Sequence, residues 1–116
     1  ILSKSDAPLF KLAADIALHH HEKWDGSGYP QGLKQTEIPE SARIVAIADV
    51  FDALSMKRPY KDAWPMDEIL DYMRQGSARH FDPDLLERFM ADLPTILAIK
   101  AEWDSREIND NRQRGI

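Results

Sequence analysis

Apolar residues recur at spacings of three and four near the start of the chain: Leu9, Leu12, Ala13, Ile16 and Ala17, with His20 next on the same face. This spacing predicts an amphipathic helix from about 7 to 22 with one buried face. Asp6 is placed to cap it, and Pro8 stands in its first turn, where a missing N–H costs nothing. From Lys23 to Glu40 the pattern stops, because Asp25-Gly26, Gly28, Pro30, Gly32 and Pro39 interrupt any regular element. A loop that long in a compact domain is commonly functional, and Trp24 and Tyr29 favour an ordered one. A second helix is expected from about 40 to 56, apolar nearly all round and therefore central, ending before Arg58-Pro59. Asp67 is placed to cap a third, from about 67 to 75, with Ile69, Leu70 and Met73 inward and Gly76 closing it. Asp82-Pro83 repeats the cap-and-proline signature for a fourth, 83 to 93, with Leu85, Leu86, Phe89, Met90 and Leu93 inward. Pro94 opens a fifth, whose apolar Ile96, Leu97, Ile99 and Trp103 give way to a polar tail, Asn109 to Arg114, expected to fray. No alternating strand pattern and no internal repeat occurs, so the expected fold class is all-α with about five helices.

Composition narrows the function. The 116 residues suit one hydrophobic core, and 43% hydrophobic with 30% charged residues is ordinary for a globular chain. A net charge of −5 argues against a general binder of nucleic-acid polymers or anionic membranes, while leaving room for a local basic site for a phosphate. There is no cysteine, so disulfides and thiolate metal sites are excluded and any metal must use His, Asp or Glu. No apolar run is long enough for a membrane span and no signal peptide opens the chain, which makes the cytoplasm the expected location. Because the chain opens on Ile1 rather than Met, a piece of a longer protein is expected.

Two stretches carry candidate chemistry. The first is His19-His20-His21-Glu22, three imidazoles and a carboxylate at the end of an apolar helix. Such histidines are either core residues with satisfied ring nitrogens or ligands of a divalent cation, which accepts two imidazole lone pairs at once. The second is the pair Asp49 and Asp52 within the apolar run from Ile44 to Leu54. Three apart, they share a side of the helix, and two carboxylates buried on one side repel unless a cation intervenes. Either they pair with Arg43, Arg58 or Lys61, or Asp49 ligates a metal. Lys57, Arg58 and Lys61 follow, either as a solvated face complementing the helix dipole or as a phosphate clamp.

Taken in order, His20-His21-Glu22, Asp25-Gly26, Gly28-Tyr29-Pro30, Gly32-Leu33, Ile38-Pro39, Ala42-Arg43-Ile44, Ala48-Asp49, Phe51-Asp52-Ala53-Leu54, Arg58-Pro59-Tyr60-Lys61 and His80-Phe81-Asp82-Pro83 resemble the C-terminal part of an HD-GYP domain. That family is a branch of the HD superfamily of metal-dependent phosphohydrolases. The resemblance implies a helical HD-superfamily region over residues 1–93, with 94–116 as a helical extension. It implies a parent protein that hydrolyses the bacterial messenger cyclic di-GMP to pGpG or GMP at two or three divalent ions, iron or manganese. By position, His20, His21 and Asp49 match metal ligands that form the catalytic centre. Tyr29, Arg58 and Lys61 match substrate contacts, and Glu22 and Asp52 match groups that orient ligands and loop; His19 has no assigned counterpart. In such a site the metals lower the pKa of a bridging water and neutralise charge on the phosphodiester, and Arg58 and Lys61 add electrostatic stabilisation. An N-terminal receiver or sensor domain, as in a response regulator, is implied for the parent.

Two departures bear on this. The family's His-Asp pair, an upstream Glu and a further His ligand precede the matched part and have no counterpart here, so this stretch alone is not expected to hold the full cluster or turn over substrate. Gln35 stands where the family often has glycine. The alternative reading is a non-catalytic module whose Gly-Tyr-Pro loop docks signalling partners such as GGDEF-domain proteins.

Overall fold

The computed structural model describes residues 7–57 and 59–113, with side chains to residue 106. Among the described residues five α-helices follow one another: α1 (Ala7–His19), α2 (Glu40–Ser55), α3 (Met66–Gln75), α4 (Pro83–Ala91) and α5 (Leu93–Gln113), with a 3-10 turn at Gln35–Glu37. No strand occurs among the described residues, and one isolated bridge joins Ser77 and Phe81. The all-α expectation holds. The chain divides into two compact units, Ile1–Leu86 and Glu87–Ile116.

In the first unit α2 packs against both α1 and α3. Ala42, Ala46, Ile47 and Phe51 bury its inner face, joined in the core by Ile38, Ile69, Met73, Phe81 and Leu86. Each fully buried large apolar side chain contributes about 1.5–3 kcal/mol. The expectation that α2 is buried all round is corrected: Ala48, Asp49, Asp52 and Ala53 are exposed, and Ile44 is 48% exposed. The apolar face expected on α1 is not covered either, since Leu9 is 63% and Leu12 44% exposed. Periodicity marks the face that resists water; it does not supply the element that covers it.

Helix ends shift for local reasons. α1 stops at His19 rather than 22, because the Glu22 N–H turns back to the His19 carbonyl at 3.0 Å. The proposed cap, Asp6, lies outside the described residues. α3 starts one residue early: Pro65 is its cap, and Asp67 and Glu68 lie in the first turn, where carboxylates favour the helix dipole. Gly76 closes α3 in the right-handed region, φ −81°, so its role is not the left-handed cap. A Cβ there would stand 2.8 Å from the Phe81 ring, so a larger residue would force that buried ring to shift. Asp82 caps α4 as expected: its Oδ1 accepts the N–H groups of Asp84 at 2.9 Å and Leu85 at 3.3 Å. Of the five side chains expected inward on the fourth helix, Leu86 is buried and Leu85, Phe89, Met90 and Leu93 are half-buried.

In the second unit α5 is helical through Gln113 where fraying was expected. Lys100–Asp104 and Glu102–Arg106 pairs at i,i+4 support it, and Arg106 lies over the Trp103 ring at 5.2 Å.

Candidate functional site

The loop after α1 is built around one buried carboxylate. Glu22 is 2% exposed. Its Oε1 accepts the Leu33 N–H at 3.1 Å, and its Oε2 accepts the Gln31 N–H at 3.4 Å and the His19 Nδ1–H at 3.1 Å. One side chain thus ties the end of α1 to the far side of the glycine-rich loop. Burial alone would raise its pKa; the His19 bond and the Leu33, Gln31 and Gly32 amides outweigh that and hold it below the ordinary glutamate value of 4.5.

Other bonds fix the rest of the loop. Trp24 and Asp25 donate their N–H groups to the carbonyls of His80 and Arg79 at 3.2 and 2.9 Å, and Gln35 donates to Trp24 at 2.9 Å. Asp25 in turn accepts from the Ser27 hydroxyl at 2.6 Å and the Ser27 N–H at 2.9 Å, which together hold its pKa down. The loop folds back so tightly that a Cβ on Gly28 would overlap the His21 carbonyl and the Lys23 nitrogen. Only glycine allows that approach. Gln35, where glycine was noted as the common residue, takes φ +52°, the left-handed region that glycine occupies without cost.

This framework gathers His20, His21 and Tyr29. The two imidazoles lie 4.0 Å apart between centroids, and the Tyr29 ring stacks on His21 at 4.9 Å with a 17° interplanar angle. The His20 Nδ1 stands 2.8 Å from the Ile16 carbonyl, which can only accept, so Nδ1 carries a proton and, in the neutral ring, the lone pair lies at Nε2. A ring fixed in that tautomer by a backbone acceptor is prepared for a cation at the other nitrogen. Tyr29 is 62% exposed.

The other expected site residues do not join that cluster into a metal set. Asp49 and Asp52 are exposed on the outer face of α2, so the premise that they repel within a buried helix is corrected. Among the described residues no three His, Asp or Glu side chains stand close enough to hold a metal ion. Two imidazoles alone do not complete a coordination sphere. Arg43, weighed as a partner for Asp52, instead bonds the Asp82 carboxylate at 2.6 Å and the Ile38 carbonyl at 2.9 Å. Lys61 lies over the Trp64 ring at 5.8 Å, and Arg58 is outside the described residues. A cavity of about 160 Å³ is lined by Tyr72, Gln75, Gly76, His80 and Phe81, none of them expected to carry chemistry.

Sequence reasoning left His19 without a role, yet it is the buried member of the triplet, 9% exposed. The signal was present: His19 and Glu22 are three apart at a helix end, the spacing at which side chains meet.

Residues 1–85 match the family model described as HD domain. The chain belongs to the HD domain family. Curated relatives extend the match. A cyclic di-GMP phosphodiesterase of Thermotoga maritima is 50% identical over 90 residues, covering 78% of this chain and 24% of the relative. The cyclic di-GMP phosphodiesterase response regulator RpfG of Xanthomonas campestris is 52% identical over 99 residues, 83% of this chain and 26% of its own length. A 3'3'-cGAMP-specific phosphodiesterase of Vibrio cholerae is 48% identical over 101 residues, 87% of this chain and 19% of its own. This HD domain chain therefore spans about a quarter or less of the length of these relatives. No helix among the described residues is long and apolar enough to cross a membrane.

Proposed function

We propose that the protein containing this HD domain is a cytoplasmic, metal-dependent phosphodiesterase that opens cyclic di-GMP in bacterial signalling. The observation that carries the reading is the His20–His21–Tyr29 cluster, held by the buried Glu22 and set in a chain about half identical to cyclic-dinucleotide phosphodiesterases. His20, His21 and Asp49 are proposed as three of the donors for iron or manganese, and the others lie in parts of the protein beyond this chain. Glu22 keeps the loop in place, and Asp52 has the part of orienting a donor in the complete site. Tyr29 meets the substrate through its exposed face, and Arg58 and Lys61 hold a phosphate, Arg as a planar fork and Lys as a point charge. A receiver or sensor domain preceding the HD domain supplies the input signal.

Identity of about one half to relatives named for cyclic di-GMP and for 3'3'-cGAMP supports a cyclic dinucleotide as the substrate class. The two differ only in one base, so the assay must include both. In the full-length protein loaded with iron or manganese, we expect hydrolysis of cyclic di-GMP faster than of 3'3'-cGAMP, and its loss in His20→Ala. Unchanged turnover in that variant sinks the assignment; faster opening of 3'3'-cGAMP moves it to the second substrate.

The incomplete donor set favours a second reading, in which the loop is a docking surface for partners such as GGDEF-domain proteins. A full-length protein that binds no metal and cleaves neither dinucleotide, yet captures a GGDEF domain through Tyr29, would establish it.

A further inference from the structure

The triplet contains one imidazole that the proposed site does not use. His19 is buried, and the carboxylate it meets has no exposed side-chain surface at all. Both oxygens of that carboxylate stand as acceptors of backbone N–H groups, and the His19 ring nitrogen 3.1 Å from Oε2 meets it as a donor, with its N–H at Nδ1. The same carboxylate receives the amides of Gln31 and Leu33, on either side of Gly32. Three donors within 3.4 Å therefore converge on the two oxygens, His19 from the last residue of α1 and the Gln31 and Leu33 amides from the return of the loop, with the Gly32 amide adding to their hold. Between these anchor points lie His20, His21 and Tyr29, with the Tyr29 N–H bonded to the His21 carbonyl at 3.3 Å.

We infer that His19 is a positioning residue: its Nδ1–H, acting through Glu22, locks residues 22–33 in the conformation that sets the Tyr29 ring on His21 and aims His20 and His21 at a shared ligand. The inference rests on the proposed function for what that ligand is, but not for the lock itself. A buried carboxylate that loses one of three donors is left under-bonded, and the two amides it holds are released together. Leucine at position 19 fills the volume without an N–H. Asparagine places an amide N–H where Nδ1–H stands, whereas glutamine places it one bond farther out.

The test uses the full-length protein, with hydrogen exchange read by mass spectrometry and turnover of cyclic di-GMP measured alongside. In His19→Leu, exchange in peptides covering residues 29–35 is expected to quicken about tenfold, that of residues 66–75 to stay the same, and kcat to fall about tenfold. His19→Asn is expected to restore both to within about threefold of the original protein, while His19→Gln does not. Should His19→Leu fail to fold, the comparison of Asn with Gln decides alone, and equal behaviour of the two overturns the inference. Unaltered exchange in His19→Leu overturns it, and so does loosened exchange with unaltered kcat. If the original protein cleaves no cyclic dinucleotide, the proposed function falls while the exchange pattern still judges the lock.

Discussion

His80 combines two jobs that pull against each other. Its carbonyl anchors Trp24, and its half-buried ring stacks on Phe81 at 4.4 Å. Burial, with Lys23 nearby, lowers its pKa below the ordinary value of 6.5, and Asp25 opposes only in part. A histidine harder to protonate when folded makes the unfolded chain the better proton acceptor, so stability falls as pH drops below about 6.5 and levels off below the folded-state pKa. Urea midpoints at about pH 7.5 and about pH 5.5 should therefore differ more for the original chain than for His80→Gln; the same midpoint difference in both contradicts it. At Gln35 the strain of φ +52° is relieved by glycine, and Gln35→Gly is expected to raise stability by a few tenths to about 1 kcal/mol in denaturant titration. Both residues show the limit of reading a sequence. Gln35 stood out only as a departure, and its backbone angle gave the reason; His80 lay in a matched motif, and only its packing revealed its charge preference.

Among the elements, the most exacting contact joins α2 to the start of α4. Arg43 and Asp82, with side chains 14% and 5% exposed, pair at 2.6 Å, while the second Asp82 oxygen caps α4. Removing one member leaves a buried charge alone. Asp82→Ala is expected to cost about 3 kcal/mol or more, and Asp82→Asn, which keeps a capping oxygen, about 1 kcal/mol less than that. Thermal unfolding of the two variants checks the order; an alanine variant as stable as asparagine contradicts it. Met73 and Ile69, fully buried on α3, are expected to cost about 2–5 kcal/mol each when cut to alanine. The helices of the described residues were legible because apolar period, proline and capping residues agree along the chain. The third helix began elsewhere because two starts, Pro65 and Asp67, compete within three residues. Arg43–Asp82 was hidden by its separation of 39 residues.

At the scale of the molecule, Leu9, Phe10, Leu12, Leu18 and Ile44 present apolar surface on α1 and α2 with no cover among the described residues. Exposed apolar surface of this kind drives association. The 116-residue chain is expected to self-associate with rising concentration in sedimentation, and Leu12→Glu with Leu18→Glu to reduce this without loss of helicity. Sedimentation of the original chain as a monomer at all concentrations contradicts it. The fold class followed from the sequence, because chain-local rules govern it. Burial of α1 and of Asp49 did not, since it depends on surfaces that a one-dimensional pattern cannot supply.

The claim beneath the whole account is that Asp49 shares an ion with His20 and His21 in the complete protein. Metal content of the purified full-length protein, by elemental analysis of the original and of Asp49→Ala with matched circular dichroism, tests it most directly. Loss of at least one bound iron or manganese per chain in the folded variant is the predicted result. Equal metal content in the two would contradict it.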